Sequence, residues 1–165
     1  DSNILENLQI NKNQKLIYNI FHKTSLQNKN LIKPYNGVLK NLNLLKKYGY
    51  KLAIVTSKSK SRVIPIKKKF KFPISNIVCH SKKFKGKPSP DQIIEAVKKS
   101  KIEPERIYYV GDMYVDYLLA KNSKAKFIFC KYGYERKKVK FKKSIKRFSD
   151  LMKIFKSKKI YLKWN

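Results

Sequence analysis

The stretch that most constrains the fold is 107–129, IYYVGDMYVDYLLAKNSKAKFIF. The apolar run Ile107 to Val110 has the length and the β-branched and aromatic content of a buried strand. Gly111 permits a sharp turn, and Val115, Leu118 and Leu119 then recur at helical spacing. The pattern predicts strand, tight turn and helix, with Asp112 at the carboxyl end of the strand. In open parallel sheets that rim is where ligands bind. Asp116 lies one helical turn further on and faces the same crevice. Two carboxylates at such a mouth suit a hard cation such as magnesium, which takes oxygen ligands and usually keeps several waters. A carboxylate there also suits a helix start, as a cap or a partner of the dipole. The stretch alone leaves both readings open.

The rest of the chain repeats the alternation. Residues 1–27 read as helical, interrupted near Asn11 and Asn13, and Gln27 to Asn30 as a loop. Pro34 and Gly37 introduce a helix from Val38 to Tyr48, which Gly49 ends as a C′ residue. Lys51 to Thr56 is a buried strand. Arg62 to Phe70 is a poorer helix, with Pro65 in its interior. Asn76 to Cys79 is a short strand. Ser89, Pro90 and Asp91 give three agreeing helix-start signals after the basic loop Ser81 to Lys87. Lys126 to Cys130 is a further strand, and Ser144 to Phe155 reads as a last amphipathic helix. Strands alternating with helices predict an α/β fold with a parallel sheet.

The 165 residues suffice for one domain, and the 42% apolar content allows a packed interior. No apolar run approaches the length of a membrane span, and no secretory signal is visible. Cys79 and Cys130 each end a strand-like run, as reduced core residues of a cytoplasmic protein would. With His22 and His80 isolated and no CxxC pair, a zinc site is not expected.

The formal net charge of +31 invites a polyanion-binding reading. Against it, arginine occurs only at 62, 106, 136 and 147, whereas base readout and bidentate phosphate contacts favour arginine. The lysines run along the whole chain, alternating with apolar residues as solvated helix faces do. Abundant Lys, Asn, Ile, Tyr and Phe beside scarce Ala, Gly and Arg also match an AT-rich coding sequence. The expectation is no specific nucleic-acid partner and no membrane, with weak attraction to polyanions at low salt.

In a parallel sheet all carboxyl ends share one rim. Thr56 and Ser57, Lys87, and Asp112 with Asp116 therefore converge there. A hydroxyl, an ammonium and two carboxylates suit a phosphoryl group and its metal. PYNGVLKNLNLLKKYGYKLAIVTSK, GKPSPDQIIEAVKKSKIEPERIYYVGDMYVD and LLAKNSKAKFIFCKYGY, over roughly residues 33–134, resemble the haloacid dehalogenase-like hydrolase superfamily, its phosphoglycolate phosphatase-like branch in particular. The resemblance implies a Rossmann-like core over 34–157, a short cap-like helical segment over 1–33 and a basic tail over 158–165. It makes Thr56 the phosphate-binding hydroxyl, with Ser57 lending its backbone. Lys87 becomes the lysine that stabilises phosphate and nucleophile, Asp112 the direct magnesium ligand and Asp116 its supporting carboxylate.

The family's first motif, DxDGT, carries the aspartate nucleophile and the acid/base, and it is absent from this chain. The opening Asp1-Ser2 looks like the DS that commonly follows that motif, as at the start of a fragment. No aspartyl-phosphate can form without the nucleophile, so the chain as given is expected to be inactive. The strand bearing that motif would lie between the Lys51 to Thr56 and Ile107 to Val110 strands. The implied activity of the complete protein is magnesium-dependent hydrolysis of a small phosphorylated metabolite, phosphoglycolate-like or a sugar phosphate, by a monomer or homodimer. A phosphomutase shares every residue quoted, and a non-catalytic basic domain of the same fold is the alternative from another class.

Overall fold

The computed structural model of the chain describes residues 14–74, 76–98, 102–135 and 140–156. The first helix, α1, spans Gln14–Gln27 and passes into a 3-10 turn at Asn28–Leu31, where a loop was expected. The amide side chain of Asn28 donates to Thr24 O and carries the helical course onward. Helix α2, Val38–Lys47, begins after Gly37 at φ 75° and ends before Gly49 at φ 80°. Both glycines occupy the left-handed region that side chains disfavour, as the C′ reading of Gly49 requires. Strand β1, Ala53–Thr56, leads into α3, Lys60–Phe70, which contains Pro65, and then β2, Asn76–Cys79. Helix α4, Asp91–Lys98, starts where Ser89 Oγ donates to Asp91 Oδ1. Strand β3, Tyr108–Gly111, helix α5, Tyr114–Asn122, and strand β4, Lys126–Cys130, follow as one repeat of strand, helix and parallel strand.

The segment expected as a single helix from Ser144 is instead β5, Ser144–Ile145, a 3-10 turn at Phe148–Asp150, and a short helix α6, Leu151–Lys156. Tertiary pairing overrides the helical spacing here. Ile145 pairs with Cys130 on β4 and is 2% exposed, while Asp150 accepts the N–H groups of Lys146 and Arg147 and stops the chain from coiling earlier. The expected segments 1–13 and 158–165 lie outside the described residues.

Among the described residues all strand pairings are parallel, and they form two sheets, β1-β2 and β3-β4-β5. The division falls between β1 and β3, the position at which the resemblance places a further strand. Among the described residues, the Tyr109 hydroxyl crosses that division and donates to Val55 O at 3.4 Å. Tyr108 and Val110 pack on one face, against Leu45, Ile128, Leu151 and Phe155 from α2, β4 and α6. Helices α4 and α5 cover the other face, burying Ile93, Leu119 and Ala120. Each such Leu or Ile contributes about 1.5–3 kcal/mol by leaving water. Period-two alternation therefore sends Tyr109 and Gly111 to the α4–α5 side, where Lys87 meets Tyr109.

Candidate active site

Thr56 is the last residue of β1 and Gly111 the last of β3, so Thr56 and Asp112 stand on one rim. The Thr56 hydroxyl accepts the Lys58 N–H at 3.2 Å, closing a tight turn, and its own proton enters no hydrogen bond among the described residues. That proton is the one a bound anion can accept. Gln92, 2% exposed on α4, donates its amide to Thr56 O at 3.0 Å and ties the rim to the helix behind it. Ser57 is half-buried beside Thr56.

Lys87 is set apart from the other lysines by its surroundings. Among lysines whose side chains are described, all but Lys67, Lys87 and Lys143 are exposed. The Lys87 ammonium donates to Asp116 Oδ1 at 2.6 Å and to the Tyr109 hydroxyl at 2.8 Å. The side chains of Lys87 and Asp116 are 14% and 8% exposed, so this is a largely desolvated, charge-assisted contact. The Tyr109 hydroxyl is pushed far above its ordinary pKa by burial first and then by the charge of Asp116. It stays protonated and acts as a neutral donor.

Asp116 has both oxygens engaged. Oδ1 meets Lys87 and Tyr109, and Oδ2 accepts the N–H groups of Asp112 and Met113 at 3.2 and 3.1 Å. The residue at the first turn of α5 is thus the one that caps it, and in doing so it fixes the backbone from which the Asp112 side chain projects. Gly111 makes this possible. A Cβ at that position would stand 2.6 Å from Asp116 Cβ.

Asp112 behaves differently. Its Oδ2 accepts the Tyr134 N–H at 2.9 Å, and Oδ1 accepts no hydrogen bond among the described residues. One carboxylate oxygen is held and the other is left open at the rim, an oxygen donor of the kind magnesium takes. No group of three or more His, Cys, Asp or Glu side chains converges among the described residues. Magnesium is usually held through one or two carboxylates, with water and phosphate oxygens completing its shell.

The structure therefore brings Lys87, Asp112 and Asp116 together and sets Thr56 and Ser57 on the same rim. It adds residues that the sequence reading did not single out. Tyr109 could have been found from the alternation of the strand, which separates it from Tyr108 and Val110. Lys58 lies within electrostatic reach of the set: desolvation lowers its pKa first, then the charges of Arg62 and Lys87, with Asp112 pulling the other way. Gln92, Gly133 and Glu135 gave no local signal beyond a glycine and a carboxylate near a strand end.

Parallel strands whose carboxyl rim carries a threonine hydroxyl, a desolvated lysine and two unequally engaged aspartates define an α/β protein. The model of the family described as haloacid dehalogenase-like hydrolase matches residues 1–130. The chain belongs to that family. It is 31% identical over 106 residues to phosphoglycolate phosphatase 1 of Pseudomonas aeruginosa, a match covering 63% of this chain and 39% of the relative. It is 26% identical, also over 106 residues, to the N-acetylmuramic acid 6-phosphate phosphatase of the same organism, covering 63% of this chain and 47% of the relative. The crystal structure of a protein described as a predicted phosphoglycolate phosphatase from Haemophilus somnus superposes with a TM-score of 0.69 at 28% identity, covering 74% of this chain and 57% of that one. The chain thus spans less than half the length of these two curated relatives. Its likeness falls on the phosphoglycolate phosphatase-like branch. Among the described residues, no helix is long and apolar enough to cross a membrane.

Proposed function

We propose that the protein to which this chain belongs is a cytoplasmic, magnesium-dependent phosphatase of a small phosphomonoester, acting through an aspartyl-phosphate. The observation that carries the reading is the division of labour between the aspartates. Asp116 is spent on Lys87 and two backbone amides, which leaves Asp112 Oδ1 as the open carboxylate oxygen. Asp112 would hold the metal directly, and Asp116 would support it. The metal, when bound, offsets negative charge on the phosphoryl group. Thr56 donates its hydroxyl proton to a phosphoryl oxygen, the Ser57 backbone lines the same turn, and Lys87 neutralises charge between phosphate and nucleophile. The nucleophile belongs to a DxDGT segment that this chain does not contain.

The curated relatives bear the names of phosphatases of phosphoglycolate and of N-acetylmuramic acid 6-phosphate. Both substrates join a phosphomonoester to a carboxylate. Lys58, close enough to feel Lys87 and Asp112, supplies a further cation suited to such a second acidic group.

The test uses the protein extended by a DxDGT-bearing segment, assayed for phosphate release from phosphoglycolate and from sugar phosphates with and without magnesium. Asp112→Asn is expected to abolish turnover while leaving the fold intact, since an amide binds magnesium poorly. Lys87→Ala is expected to reduce the rate at least 100-fold, on the order of what losing one oriented charge-stabilising group costs. Unchanged turnover in the aspartate variant overturns the site. Transfer of phosphate between positions of a sugar, rather than its release, identifies a mutase instead.

A further inference from the structure

We propose that the loop after β4 is a clamp that positions Asp112 for its cation, with Gly133 and Glu135 as its positioning residues. The inference rests on Asp112 being the metal carboxylate. Three contacts make the clamp. The Tyr134 N–H donates to Asp112 Oδ2 at 2.9 Å, and the Glu135 N–H donates to Asp112 O at 3.2 Å. The Glu135 carboxylate then accepts the Tyr114 N–H at 2.8 Å, one of the N–H groups at the start of α5 that has no acceptor within the helix. Backbone and side chain of Asp112 are thus gripped from one loop, and that loop is anchored to the helix carrying Asp116.

Gly133 is what lets the loop come so close. A Cβ at position 133 would collide with the Cβ, Cγ and Oδ2 atoms of Asp112. The collision involves the root of the aspartate side chain as well as its tip, so a rotamer change alone does not relieve it. Alanine at 133 must either lift the loop, losing the Tyr134 contact, or turn the Asp112 carboxylate away from its present direction. Glu135 reaches Asp112 through its backbone N–H and α5 through its carboxylate. Its role is indirect. It holds the loop against α5 and so keeps the Asp112 Oδ1 oxygen facing the rim. Partners that orient a metal ligand commonly change metal affinity 10–100-fold when removed.

The test measures manganese uptake by the chain extended by a DxDGT-bearing segment, from the free-ion electron paramagnetic resonance signal, together with thermal melting in metal-free buffer. Gly133→Ala is expected to weaken uptake by about tenfold or more, and Glu135→Ala by a smaller factor of about three to ten. Glu135→Gln, which keeps an oxygen acceptor for the Tyr114 N–H, is expected to stay within about twofold of the parent. Melting temperatures compared across the variants separate a loss of affinity from a loss of general stability. If both alanine variants take up manganese like the parent while Asp112→Asn does not, the clamp is overturned and the metal site stands. Parent-like uptake in Asp112→Asn, or no uptake by the parent chain, removes the site and the clamp with it.

Discussion

Tyr109 and Cys130 show how single side chains acquire properties that their types do not predict. The Tyr109 hydroxyl joins Lys87, Asp116 and Val55 O, so one buried phenol links the lysine, the supporting aspartate and the far strand. The Cys130 thiol, 6% exposed, is pushed up to about 11 by burial, with the Tyr132 hydrogen bond opposing and the charges of Asp112 and Asp116 adding to the rise. Its thiol form is therefore favoured in the folded state relative to an unfolded value of about 8.5. The sign follows from the raised value. This contribution is fully present below the unfolded pKa and is lost as pH climbs through about 11. In a Cys79→Ser background, native Cys130 is expected to react with a thiol reagent at pH 8 on the order of a hundredfold more slowly than in urea. Comparable rates in the two states would show the thiol to be open. Gly111→Ala presses a methyl against the root of Asp116 at 2.6 Å and is expected to cost about 1–3 kcal/mol, read from urea unfolding.

Among the elements, α3 carries the clearest local conflict. Pro65 lies inside it, exposed to solvent, and gives no N–H to the preceding turn. The helix persists because Val63 is buried at 6% exposure and Arg62 lies over the Phe21 ring at 4.9 Å, so tertiary contacts outweigh the propensity. Pro65→Ala is expected to stabilise the protein by about 2 kcal/mol, the interior-proline penalty less the gain in unfolded-chain entropy. Chemical denaturation measures it, and a destabilised variant would mean that the ring packs or limits the unfolded chain more than its exposure implies. The region after β4 teaches the converse. Ile145, Phe148, Leu151, Met152 and Phe155 are spaced as one helix would place them, yet Ile145 leaves that helix to extend the sheet.

At the scale of the whole molecule, the division between β1 and β3 is the dominant feature. Both strands run parallel to their own partners, and the facing edges are joined among the described residues by a side chain, Tyr109, rather than by a ladder. Unpaired strand edges are costly when buried and prone to association when exposed. A form of the protein carrying a DxDGT strand is expected to melt at a higher temperature and to gain phosphatase activity in the same step. Activity without added stability would place that strand elsewhere. The charge belongs to this scale as well. Most lysines among the described residues are exposed, on helices, loops and strand ends alike. Duplex DNA binding, followed by fluorescence anisotropy, is expected to be weak and to vanish by physiological salt. Sub-micromolar binding there would overturn the expectation.

From the order of apolar runs and turns alone, the α/β class, the parallel sheet and the rim bearing Thr56, Lys87, Asp112 and Asp116 were already legible. Periodicity and the carboxyl-end rule act over a few residues each, and GKPSPD and GDMYVD are local patterns. What the tertiary structure decided is how each carboxylate is engaged. Asp112 and Asp116 differ by four positions in sequence, but only the approach of Lys87 from before α4 and of the Tyr134 N–H from after β4 makes one saturated and the other open. The same holds for Gly133 and for the short strand at Ser144–Ile145. Their roles come from partners distant along the chain, whose approach depends on the packed sheet rather than on local preference.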